Sequence, residues 1–333
     1  MRILAGALLA VTAAAFGQSP TPESVLGYKP GADFKLASYE DALGYFRSLA
    51  ATSNRIKLVN VGKTTQGRDW FIAFISDPAN LAQLDHYKDV SRRLALSRGI
   101  TDEQAHAMAR EMKPIIHIDG GLHATEVANH QHTIQLGYDL VALEDPEYQA
   151  IRQNLIVELW FSINPDGQDI VANWYRQNVG TPYEISPLPV LYQEYVGHDN
   201  NRDGYMLNMI ESRLITKATL DTQPLVFYTQ HQTAPFPGRI YLPPYADPIS
   251  GNMHPLILRW LSLIGTTIAT HLEDHGLPGS RPCGRLRGSR HRLGPRGHRR
   301  VRLLGREPHP AAREHRVEPA RELPRHPDRL SPA

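Results

Sequence analysis

His123 and Glu126 stand three residues apart, directly after the apolar run 114–119 and the pair Gly120-Gly121. An imidazole and a carboxylate at that spacing, where a strand end runs into a helix, can converge on one Zn²⁺, and a third protein ligand leaves the fourth position open to water. The pattern recurs at His315 and Glu318, but there no apolar strand or glycine turn comes before it. A third ligand should come from another strand end. His231, which directly follows the β-prone run 224–230, is the best placed; on its own it also reads as a hydrogen-bonded loop histidine.

Such ligands need rigid elements to hold them. Tyr39, Leu43, Phe46 and Leu49 recur at helical spacing over 39–50, and 56–61 and 70–75 read as strands joined by the turn-rich Gly62-Lys63-Thr64-Thr65-Gln66-Gly67-Arg68. Residues 78–112 read as mostly helical, 114–119 as a buried strand and 126–143 as a helix. The β-prone run 154–163 ends in Asn164-Pro165-Asp166-Gly167, a turn signal. A strand at 224–229 and a helix at 255–275 follow. Strands alternating with helices predict an α/β fold: a single-domain sandwich with a mixed, mainly parallel sheet flanked by helices. In such sheets ligands bind beyond the carboxyl ends of the strands, which selects the loops after Asp119, Ile163 and Thr229.

His-x-x-Glu, then Asn-Pro-Asp-Gly, then Asn-Arg, then a strand-end His, in that order, resembles the zinc carboxypeptidases, the M14 metallopeptidases. The resemblance runs from about Tyr39 to His275 and includes the 62–68 turn, which is similar to the family's Gly-Lys-Ser-x-x-Gly-Arg. It implies a carboxypeptidase-like fold and a zinc ion held by His123, Glu126 and His231. The implied activity is hydrolysis of the C-terminal peptide bond of a peptide or protein by zinc-activated water. Arg176 matches the family's arginine that polarises the scissile carbonyl; a guanidinium fixed there would stabilise the developing oxyanion. Asn201 and Arg202 match the pair that holds the substrate's terminal carboxylate, which a planar guanidinium can grip with two parallel hydrogen bonds. The family has Asn after that arginine and this chain has Asp203, so a loop salt bridge from Arg202 to Asp199 or Asp203 is the competing reading.

The ends of the chain differ from its body. Residues 1–17 carry Arg2, an apolar run and small residues at Ala15 and Gly17, the layout of an export signal leading to a periplasmic or extracellular protein. That run is shorter than the roughly 20 residues of a spanning helix, so stable membrane insertion is not expected. Residues 18–34 read as a linker and 35–277 as the catalytic domain. From 278 to 333 the chain has 15 Arg, no Lys and a net charge of +10, leaving −8 for everything before it. The basicity therefore sits in a tail, and nucleic-acid binding loses its support. This tail has no aromatic residue, no Ile and no Met; it is expected to be disordered, and its Arg/Pro/Gly/His mixture fits GC-rich coding sequence translated in a shifted frame. The single cysteine, Cys283, excludes an intrachain disulfide.

In the family, the general-base glutamate and a mobile tyrosine lie well beyond the third ligand, where this chain has its tail. Glu307 falls in that region but has no β-prone neighbours and is not assigned the role. Two alternatives follow. One is a zinc-dependent amide hydrolase of the acylase or desuccinylase type; the other is a non-catalytic domain that binds zinc and a carboxylate.

Overall fold

The computed structural model describes residues 18–192, 199–232, 240–244, 251–277 and 280–282. The expected export signal, Cys283 and Glu307 lie outside these residues, as does the Arg-rich tail apart from Ser280–Pro282. The chain divides into two compact units, 1–238 and 239–333.

The first unit opens with α1 (Pro22–Leu26), α2 (Tyr39–Thr52), β1 (Ile56–Lys63), β2 (Asp69–Ile75), α3 (Pro78–Ala82), α4 (Leu84–Leu96) and α5 (Asp102–Glu111). It continues with β3 (Ile115–Asp119), α6 (Ala128–Ala142), α7 (Pro146–Asn154), β4 (Ile156–Trp160), α8 (Pro165–Asn178), a 3-10 turn at Asn200–Arg202, α9 (Ile210–Thr222) and β5 (Val226–Tyr228). The sheet order is β1-β2-β4-β3-β5. Its β1–β2 and β2–β4 pairings are antiparallel, whereas β4–β3 and β3–β5 are parallel, so the sheet is mixed.

Burial explains the composition of the strands. All five residues of β4 are buried, as expected where helices cover both faces of a sheet. On one face α2, α6 and α8 pack, and Phe46 of α2 stacks on Phe161 at 4.2 Å. Gly137 of α6 admits that Phe46 ring, since a Cβ there would lie 2.5 Å from it. On the other face lie α4 and α9. His117, Glu158 and Phe227 share this second face in register. Each large apolar side chain withdrawn from water contributes about 1.5–3 kcal/mol.

The Asn-Pro-Asp-Gly segment is a helix start rather than a turn: Asn164 Oδ1 accepts the Gly167 N–H and Pro165 occupies the first helical position. Both signals favour a helix N-terminus. The stretch expected to be a linker contains α1, capped by Thr21, and Tyr45 Oη donates to the Pro20 carbonyl at 3.2 Å.

The second unit comprises β6 (Ile240–Leu242), α10 (Pro255–Asp274) and β7 (Ser280–Pro282). The tail is expected to hold no ordered element, yet β7 pairs in parallel with β6, Ser280 standing opposite Ile240. Gly265 of α10 lies against the Pro243 carbonyl, where a Cβ would come within 2.0 Å.

Candidate metal centre

The loop after β3 is fixed by close packing against α6. A Cβ on Gly120 would fall 2.1 Å from the Asn129 carbonyl oxygen. Gly121 has φ +81°, and the His130 ring occupies the space its Cβ would need. These two positions therefore require glycine. Downstream, the Leu122 carbonyl accepts from Asn164 Nδ2 at 3.1 Å and from Asn200 Nδ2 at 2.6 Å. The residue immediately before His123 is thus pinned by one asparagine from the α8 cap and one from the 3-10 turn.

His123, Glu126 and His231 each present one ligand atom, and the three atoms lie within 4.8 Å of one another. His123 Nδ1 is 2.8 Å from Glu126 Oε1, and His231 Nδ1 is 3.1 Å from Glu126 Oε2. The rings of the two histidines are 4.8 Å apart. His231 is held in place by its own strand end: the Gln232 N–H donates to Glu126 Oε2 at 2.9 Å, and Gln232 Oε1 accepts from the Ala128 N–H at 2.9 Å. Thr229 Oγ1, two residues earlier, donates to Asp119 Oδ1 at 2.9 Å.

Two imidazole nitrogens and a carboxylate, drawn from two strand ends, suit zinc by donor type and number. The outer nitrogen supports this fit: His123 Nε2 is 2.9 Å from Asp199 Oδ1, so Nδ1 is the atom turned toward the other ligands. A carboxylate behind a ligand histidine is the usual means of fixing its tautomer and ring orientation. Burial alone would raise the Asp199 carboxyl, but the Asn201 N–H and His123 outweigh it and hold the group below its ordinary value. No spacing in the chain singles out Asp199, or Tyr192, whose ring lies 6.4 Å from that of His123.

Asn201 joins this group, its carboxamide 3.4 Å from His231 Nε2. Arg202 is exposed and makes no salt bridge among the described residues. Asp203 turns inward, accepting from the backbone of Asn208 at 3.2 Å and Met209 at 2.9 Å, so the substitution of Asp for Asn builds a loop rather than neutralising Arg202.

Arg176 stands apart from these residues. Near the end of α8, its guanidinium donates to the Leu36 carbonyl at 2.8 Å and pairs with Asp41, in a small cavity shared with Tyr28 and Tyr45. The 62–68 turn is likewise structural: Thr64 Oγ1, the Gln66 N–H and Arg68 Nη1 all converge on the Asp166 carboxylate. Arg68 Nε donates to Asp169 at 2.7 Å and the Thr65 N–H to Glu211 at 2.8 Å, tying the turn to α8 and α9.

The family model described as zinc carboxypeptidase matches residues 43–210, a span that contains His123, Glu126, Asn201 and Arg202. The chain belongs to the zinc carboxypeptidase family. No curated protein matches it. Among solved structures, carboxypeptidase A from Helicoverpa armigera is similar at 16% identity over 76% of this chain and 60% of that one, with a TM-score of 0.46. Thrombin-activatable fibrinolysis inhibitor is similar at 9% identity over 79% and 63%, TM-score 0.49. A metallo-carboxypeptidase from Burkholderia cenocepacia is similar at 13% identity over 73% and 52%, TM-score 0.48. The chain thus spans between 52% and 63% of these structures' lengths. Among the described residues no helix is long and apolar enough to cross a membrane.

Proposed function

We propose that His123, Glu126 and His231 hold a catalytic zinc ion, and that the lineage is that of an exported metallocarboxypeptidase releasing C-terminal residues from peptides. The observation that supports this reading is the convergence of the three ligand atoms with Asp199 behind His123. Bound there, zinc supplies a Lewis acid that acidifies water toward neutrality and polarises a carbonyl. Asn201, beside His231, and its chain neighbour Arg202 grip the substrate's terminal carboxylate and so confine cleavage to the chain end. Arg202 is exposed, and its charge helps to hold the Asp199 carboxyl low, so Asp199 is the group a substrate carboxylate would compete with for it.

Proton transfer is the weak point of this chain. Among the described residues, the carboxylates paired with the two triad histidines are Glu126 and Asp199; one is a ligand and the other holds a ligand in place. Neither is free to take a proton from attacking water, and a general base is worth typically 10²–10⁴-fold. The stretch where the family carries its general base is the Arg-rich tail in this chain, and on that ground we propose that the 333-residue chain binds zinc with little or no turnover. Metal analysis of the purified protein with and without a chelator, alongside release of C-terminal residues from short peptides and from N-acyl amino acids, tests both statements. Absence of stoichiometric zinc would overturn the first, and robust chelator-sensitive exopeptidase activity the second.

A further inference from the structure

His271 lies in the last turn of α10, and His275 caps that helix four residues later, a spacing that puts both side chains on one face. Both residues are exposed. Their ring centroids are 4.2 Å apart and the ring planes are inclined by 34°. The backbone beneath them is locked. Gly276 takes φ +73°, its N–H donates to the Glu273 carbonyl at 3.0 Å, and the Leu277 N–H donates to the Leu272 carbonyl at 2.8 Å. These two bonds around a left-handed glycine are the Schellman arrangement, which closes a helix firmly. The second histidine therefore stands on a fixed end and not a fraying one.

The ring nitrogens are disposed as a metal needs them. His275 Nδ1 lies 2.8 Å from the His271 carbonyl oxygen. A carbonyl only accepts, so Nδ1 carries the proton and the lone pair of the neutral ring is on Nε2. A ligand histidine commonly donates its other ring N–H in this way, which fixes its tautomer and orientation. The His271 ring makes no hydrogen bond among the described residues, so both of its nitrogens are uncommitted. The surrounding charge also favours a cation. Glu273 and Asp274 are exposed in the same turn, and no lysine or arginine occurs between Arg259 and Arg281. The carboxyl end of a helix adds the negative pole of its dipole.

We propose that His271 and His275 form a second metal site, separate from His123, Glu126 and His231, which takes a borderline divalent transition metal: copper, nickel or zinc. Two histidines at i and i+4 on one helix face form a chelating pair. Imidazole nitrogen suits these ions, whereas calcium and magnesium demand oxygen ligands. With two protein ligands the remaining coordination positions belong to water, so this is a site that captures an ion at the surface. The bound ion clasps the helix end, and because it favours the folded arrangement it stabilises that end. The inference does not depend on the carboxypeptidase reading.

Nickel titration of the full 333-residue protein, already loaded with one equivalent of zinc, tests it by competition with a metal-binding dye. Wild type should take up one equivalent of Ni²⁺ beyond the zinc. His271→Gln and His275→Gln should each weaken that uptake at least about tenfold, since the second imidazole of a chelating pair acts at high effective concentration. The double variant should lose little more than either single one, because one imidazole alone makes no chelate. His86→Gln removes an exposed histidine that is the only one on its helix, and should leave the titration unchanged. No uptake beyond the zinc would overturn the proposal. So would uptake that survives both single variants, which would assign it to other histidines, such as those of the tail. Loss of half the uptake with each single variant, at unchanged affinity, would mean two independent imidazoles and would overturn it as well.

Discussion

Acid should loosen this protein through His130. The ring is fully enclosed by the loop glycines and the start of α6, and neither ring nitrogen has a hydrogen-bond partner. Burial, reinforced by His132, pushes its pKa from 6.5 down to about 3. The folded state therefore refuses a proton that the unfolded chain accepts below pH 6.5, and stability falls as pH drops from 6.5 toward 3. Linkage with those two values gives a loss of ~2 kcal/mol between pH 7 and pH 5 from this residue alone. His117 works in the opposite sense. Burial alone would lower its pKa, but Asp119 and Glu158 outweigh it and raise it, so its contribution is present at low pH and lost as pH rises through the folded value. The clean measurement is a difference: urea unfolding of the wild-type chain and of His130→Leu at pH 7 and pH 5. The gap between the two proteins should shift by ~2 kcal/mol in favour of the variant at pH 5. An unchanged gap would show that His130 is protonated or solvated in the native state.

Four further outcomes follow from the same geometry. His123→Ala, Glu126→Ala and His231→Ala should each abolish stoichiometric zinc, because three protein ligands is the minimum for a catalytic site; zinc retained by His231→Ala would remove that residue from the set. Gly121→Ala should destabilise the fold by more than ~2 kcal/mol, since it combines a positive φ with a clash against His130; unfolding at the wild-type midpoint would contradict this. Arg176→Ala should leave zinc content unchanged and cost only ~1 kcal/mol, as expected of a half-exposed ion pair. If turnover of a frame-restored enzyme fell 10²–10³-fold on that change, Arg176 would instead be stabilising the oxyanion. The coding DNA near codon 278, read in its other frames, should encode a β-prone segment bearing a glutamate; no such segment in either frame would remove the frameshift reading.

Much of the scaffold was legible because local signals agreed with tertiary demands. Helix α2 begins at Tyr39, as its apolar spacing predicts, and Ser38 with Asp41 forms a capping box. The ligand loop was legible because Gly120-Gly121 follows a strand of near-continuous apolar character. Asn164-Pro165-Asp166-Gly167 was misread because its residues favour turns and helix starts alike, and only the following Val171 and Ala172, buried on α8, separate the two. Arg176 shows a different limit. Its place in an ordered motif says nothing about which carboxylate is nearest, and Asp41, 135 residues earlier, takes the guanidinium. Asp199 could not be found from spacing, since it is 76 residues from His123 and meets it only when the 3-10 turn folds.

The order of motifs in this chain is better explained by positioning than by chemistry. Of the residues that make the pattern recognisable, His123, Glu126, His231, Asn201 and Arg202 are the ones proposed to meet a metal or a substrate. Asp166 gathers the 62–68 turn through three donors. Asn164 caps α8 and, with Asn200, holds the carbonyl next to His123. The Leu122 carbonyl is thus the point at which three separated segments meet, and a shift of either asparagine would move the first ligand directly. This predicts that Asn164→Ala weakens zinc binding even though Asn164 is no ligand. The variant loses a helix cap worth about 1 kcal/mol and one of the two hydrogen bonds to that carbonyl. Supporting residues of this kind typically cost 10–100-fold in metal affinity when removed. Competition with a fluorescent zinc chelator measures the affinity, and urea unfolding of the metal-free protein measures the cap separately. A variant that loses stability but keeps wild-type zinc affinity would show that Asn200 alone is sufficient to hold the loop.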